Sequence, residues 1–128
     1  WINLKLEQVS EFLSLVDLVI APPDIHEFWT FSQALLQEIP VISCQNAHNS
    51  VCQINALLED LNLNDLIVST HEELITLACK LLKDKQEHVM LKERLKEASQ
   101  HLLTSQSKRA QDILQSIYQR LIKPSLYE

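Results

Sequence analysis

The chain contains no glycine in 128 residues. At the average usage of about 7%, a chain of this length lacks glycine about once in ten thousand draws. Every turn is therefore made without the residue that enters left-handed backbone freely, and a site in which phosphate approaches a bare backbone cannot be built in the usual way. Long apolar runs are missing too. Nothing approaches the ~20 residues that span a bilayer, and the N-terminus has neither the basic nor the apolar stretch of a signal peptide. Positive charge is scarce: 11 basic residues stand against 17 acidic ones, for a net charge of -6. That is the wrong sign for following a phosphate backbone without a segregated basic patch. Cysteine is limited to Cys44, Cys52 and Cys79, an odd number without a Cys-x-x-Cys pair, so neither a disulfide framework nor a zinc site is indicated. These absences predict no membrane span, no nucleic-acid partner, no metal, and buried thiols in a reducing, cytoplasmic setting. The opening residue is Trp1 rather than Met, which reads as a fragment or a processed product.

What is present, 46% hydrophobic and 22% charged residues, is enough for one core and too little for two ordinary domains. Ile2 to Leu6 alternates like the end of a strand, and Val9, Phe12, Leu13 and Val16 fall at helical spacing over Glu7 to Val16. The β-branched run Leu15 to Ala21, stopped by Pro22 and Pro23, predicts a strand buried on both faces. Trp29 to Glu38 suits a helix, and Pro40 to Cys44 another short buried strand with proline at its first position. Ser50 can cap a helix with the face Val51, Ile54, Leu57, Leu58 and Leu61, and Leu66 to Ser69 fits one more strand. Thr70 with Glu73 forms a capping box opening a helix through Leu74, Ile75, Ala78, Leu81 and Leu82. Two helices close the chain. Gln86 to Leu103 has the face Leu91, Leu95, Ala98 and Leu102, with a solvated run from Lys92 to Glu97, and Ser107 to Ile122 carries Ile113, Leu114, Ile117, Tyr118 and Leu121. The two predict an antiparallel hairpin that leaves a residual apolar strip around Ile117, Leu121 and Ile122. The fold class expected is α/β: a partial Rossmann-like parallel sheet with crossover helices over residues 1–83, followed by an α-helical C-terminal tail over 84–128.

Element order and several phrases resemble one family. The run Asp17 to Ser43, D-L-V-I-A-P-P-D-I-H-E-F-W-T-F-S-Q-A-L-L-Q-E-I-P-V-I-S, is similar to the C-terminal half of GT-B glycosyltransferases. His48 to Ser69, H-N-S-V-C-Q-I-N-A-L-L-E-D-L-N-L-N-D-L-I-V-S, and the stretch from His71, H-E-E-L-I-T-L-A-C-K-L-L-K-D, resemble its following helices. The nearest branch is the O-GlcNAc transferase-like group, which includes bacterial adhesin glucosyltransferases. The resemblance implies an enzyme that moves a sugar from a UDP-sugar to a protein side chain, with no further cofactor. This half would hold the donor, and a missing N-terminal half or another chain would supply acceptor contacts. A fragment of this kind is not active alone.

The resemblance also implies where the donor site lies. In the family, a glycine-containing loop ending in paired threonines holds the diphosphate at a helix N-terminus, where free N–H groups and the helix dipole favour an anion. Aligned on Pro40, the family's Asn-Gly-His-Thr-Thr-Gly falls on His26, Glu27, Phe28, Trp29, Thr30 and Phe31, and only Thr30 matches. The ribose-binding carboxylate falls on Gln33, an uncharged amide, and the small residue before the closing strand falls on Glu38. Glu27 brings negative charge near the diphosphate, while Phe28, Trp29 and Phe31 occupy space that phosphate oxygens need. The donor-binding candidates are therefore His26, Thr30, Gln33 and His48, in an impaired site. Plainer readings stand beside this one: Trp29 and Phe31 as core or interface residues, His26 as a surface or capping residue, and Asn46, His48 and Asn49 as a glycine-free turn at the carboxyl end of a strand. Cys44 with His48 lacks the oxyanion donors and third group of a nucleophile–base pair. Two functions follow: the donor-binding half of a protein glycosyltransferase, or a degenerate domain of that kind kept as a scaffold or interaction module, with self-association through the last helix.

Overall fold

The structure, a computed structural model, describes residues 5–22, 28–45 and 53–122. Helix α1 (Leu6–Leu13) opens where a strand end was expected, because the Gln8 side chain accepts from the Lys5 N–H at 3.1 Å and covers an otherwise free donor. Residues 1–4 lie outside the described set. The expected long strand is cut to β1 (Val19–Ala21). Leu15 and Val16 are spent instead on the turn that ends α1, their N–H groups donating to the Phe12 and Leu13 carbonyls, and Leu15 is 82% exposed. Next come α2 (Phe28–Leu36), β2 (Val41–Cys44), α3 (Gln53–Asp60), a short 3-10 turn (Asn64–Leu66) and β3 (Ile67–Val68). Ser50 and Val51, the expected cap and first apolar residue of α3, lie outside the described residues.

The three strands form a parallel sheet in the order β1-β2-β3. Register places Val19, Ala21, Val41, Ser43 and Ile67 on one face and Ile20, Ile42, Cys44 and Val68 on the other. Burial on both faces, expected of the first strand, holds for β2, whose four residues are all buried. It fails for β1. Ile20 is 45% exposed at the sheet edge, and α4 (His71–Lys83) packs on β2 and β3. The buried Ser43 hydroxyl and Asn55 side chain hydrogen-bond to each other, tying α3 to the first face.

Turns without glycine take a specific form. After α2, the Glu38 N–H donates to the Leu35 carbonyl and the Ile39 N–H to the Ala34 carbonyl. After α3, Asn62 and Leu63 repeat the pattern onto Glu59 and Leu58. Both are Schellman closures, and both put a residue with a side chain into left-handed backbone, Glu38 at φ 62° and Asn62 at φ 56°.

Helix α4 starts at the expected cap: the Thr70 hydroxyl accepts from the Glu73 N–H, and Glu73 reaches back to the Ser69 N–H, one residue beyond the usual partner. Its inner face is Leu74, Leu77, Ala78 and Leu81, whereas Ile75 and Leu82 are exposed. Asp84 ends α4 and caps the next helix by accepting from the Gln86 and Glu87 N–H groups.

The expected terminal hairpin is not formed. A single helix, α5 (Lys85–Ile122), runs 38 residues, about 57 Å at 1.5 Å per residue. No glycine or proline interrupts it. The polar residues where a break was expected bond within the helix, Thr104 onto the Gln100 carbonyl and Ser105 onto that of Leu102. Leu91, Leu95, Ala98 and Leu102 are buried in the same core as the sheet residues, with α5 packed on α2 and α4. Beyond Ser105 the helix leaves this core.

Candidate functional site

In a parallel sheet, the strand ends that feed helix N-termini are where ligands gather. Here that edge is formed by Ala21, Cys44 and Val68, with α2, α3 and α4 beginning at Phe28, Gln53 and His71. Of the four expected donor-binding residues, the structure describes two. Thr30 lies in the first turn of α2 and Gln33 one turn on, both half-buried. His26, His48, Asn46 and Asn49 lie outside the described residues, as does Glu27.

Around Thr30 the first turn of α2 is aromatic. Phe28 is exposed and Trp29 is 57% exposed, while Phe31 is buried in the core. The Phe28 carbonyl accepts from the Ser32 hydroxyl at 2.7 Å. Among the described residues, no acidic residue stands in the first turn of α2 or α3. The start of α4 differs, because Glu72 and Glu73 already place negative charge on it. Of the thiols expected to be buried, Cys44 is buried at the end of β2, Cys79 is instead exposed on the outer face of α4, and Cys52 lies outside the described residues. Among the described residues no group of three or more His, Cys, Asp or Glu is placed to hold a metal ion, and no helix is long and apolar enough to cross a membrane.

The opposite, amino edge of the sheet carries features that the sequence reading missed. Two clefts of about 310 and 370 Å³ share Asp17 and His88, the first bounded also by Glu38 and Lys92, the second by Leu81, Leu82 and Val89. A third, of about 230 Å³, lies beside Arg94, Asn62 and His101. Its wall is a clasp. Arg94 of α5 donates both terminal nitrogens to the Asp65 carboxylate, at 2.7 and 2.6 Å, and one of them also to the Asn62 carbonyl at 3.1 Å. The hydrogen bonds from Arg94 hold the Asp65 carboxyl below its ordinary range, and Asp65 in turn raises the Arg94 guanidinium. A run read as a solvated face thus contains the residue that locks α5 to the α3–β3 connection. Its signal in sequence was an arginine with an acid 29 residues away, a separation no local rule detects.

The second missed feature is the state of the last apolar stripe. Ile113, Leu114 and Ile117 are 60, 66 and 49% exposed, and Leu103 is exposed with them. The side chains of Tyr118, Leu121 and Ile122 lie outside the described set. Comparison with family models, with curated proteins and with solved structures finds no match to this chain in any of the three.

Proposed function

We propose that the chain is a degenerate GT-B-like, O-GlcNAc transferase-like domain, a partial Rossmann-like sheet in a cytoplasmic protein, that works as a protein-interaction module through the distal end of α5. The observation that carries this reading is the exposure of Ile113, Leu114 and Ile117 together on a helix that has left its own core. A stripe of this size in water marks a docking surface, since each large apolar side chain gains about 1.5–3 kcal/mol on burial. The aromatic first turn of α2 supports the degenerate half of the reading: Phe28 and Trp29 fall on positions that the resemblance gives to the diphosphate loop, which needs small residues and free amides.

A second reading has one observation in its favour. Thr30 sits in the first turn of a helix that begins at the carboxyl edge of a parallel sheet, where helix N–H groups favour an anion. In that reading the chain, completed by an N-terminal half, transfers sugar from a UDP-sugar to a protein side chain, with His26, Thr30, Gln33 and His48 on the nucleotide. Calorimetric titration with UDP separates the two. The interaction-module reading predicts binding weaker than about 1 mM, or roughly -4 kcal/mol. Micromolar affinity, lost on Thr30→Ala, contradicts it and supports the transferase.

A further inference from the structure

The exposed end of α5 repeats with alternating steps of three and four. Leu103, Ser107, Ala110, Leu114 and Ile117 follow one another at the a and d positions of a heptad, with Ser107 and Leu114 at a, and Leu103, Ala110 and Ile117 at d. This seam lies about 100° around the helix from Leu102 and the face packed on the core, so a partner helix can reach it without displacing α2 or α4. It starts at Leu103 because the preceding d position is Lys96. From this pattern we infer that the occupant of the seam is a second copy of the same chain, paired antiparallel about a two-fold axis near Asp112; the inference rests on the interaction-module reading above.

Size and charge both single out this arrangement. In an antiparallel coil each a residue meets a d residue of its partner. With the axis near Asp112, Ser107 meets the partner's Ile117 and Ala110 meets the partner's Leu114, so every small side chain is set against a large one. Ile113 flanks the seam beside the partner's Ile113, and Gln111 beside the partner's Gln111. A parallel pair would instead stack serine on serine and alanine on alanine, leaving two layers unfilled. Lys108, Arg109 and Asp112 fall at b, c and f, off the seam, so the self-pair brings no like charges together across it. The antiparallel arrangement also sends the two cores to opposite ends, and the contact is self-complementary and closes at two chains.

Sedimentation equilibrium tests the pair, and oxidative cross-linking tests its direction. Wild type should approach twice the 14.8 kDa of the chain as concentration rises. The double variant Leu114→Asp, Ile117→Asp should stay at the single mass, with the melting temperature of the dilute wild type at every concentration. With Cys52 and the exposed Cys79 both replaced by serine, Ile113→Cys should form a disulfide-linked dimer and Ser107→Cys should not. The reverse cross-linking pattern overturns the antiparallel arrangement. A wild type that stays at the single mass at all concentrations overturns self-pairing itself, whereas micromolar UDP binding overturns the reading on which it rests; the two failures are read in different experiments.

Discussion

Replacing Glu38 by glycine should stabilise the protein. Glu38 sits at φ 62°, the left-handed position that closes α2, and its backbone N–H and that of Ile39 are both used in the closure. Left-handed backbone costs a residue with a side chain about 1–2 kcal/mol, and glycine escapes that cost. Glycine gives back about 0.4–1 kcal/mol through its freer unfolded state, which leaves a net gain of about 0.5–1 kcal/mol. For a domain of this size that raises the melting temperature by about 2–4 °C. Asn62→Gly is the internal comparison: asparagine tolerates the left-handed region, so the gain there should be under about 0.5 kcal/mol. Glu38→Ala removes the same charge from the cleft it shares with Asp17 and Lys92 but keeps a Cβ, so it should not stabilise. Thermal and urea melts of the three variants give the answer. If Glu38→Ala gains as much as Glu38→Gly, the effect is electrostatic and the backbone argument is refuted.

Two further outcomes follow from polar contacts in the fold. Because Arg94 depresses the Asp65 carboxyl in the folded state, the clasp contributes stability above the ordinary carboxylate range, and that contribution is lost as pH falls through the depressed value. Asp65→Asn should therefore cost up to about 1 kcal/mol at pH 7, as expected of an exposed pair, and flatten the acid limb of a stability-versus-pH curve; an unchanged limb counts against the clasp. Asn55→Ala leaves the buried Ser43 hydroxyl without its partner and should cost about 1–3 kcal/mol in urea unfolding, with the Ser43→Ala, Asn55→Ala pair costing less than the sum of the singles.

Legibility in the sequence varied with the range of the interaction. Thr70 and Glu73 are three residues apart, and their cap could be read directly. The buried run Val41 to Cys44 could be read too, because a central parallel strand is apolar on both faces. The β1 run misled because its first residues look like strand but are taken by the turn that closes α1. Polar residues 104–107 imitated a linker between helices; serine and threonine hydroxyls that bond back to the helix carbonyls remove that signal. The absence of glycine hid both Schellman turns, since Glu38 and Asn62 do the work that glycine normally marks. Of the expected donor site, Thr30 and Gln33 stand on one helix beside the sheet edge, and His26 and His48 lie outside the described residues.

Hydrogen exchange of the α5 amides, followed as the chain is diluted, bears most directly on the claim that this helix end is a protein-binding surface. An isolated helical segment of about 17 residues is marginal in water, and its stability in proteins comes from a packed apolar face. The amides of residues 106–122 should therefore be protected at high concentration and lose that protection on dilution, while those around Leu91 and Leu95 remain protected throughout. Equal protection of residues 106–122 at every concentration, or fast exchange there even at the highest, would contradict the account.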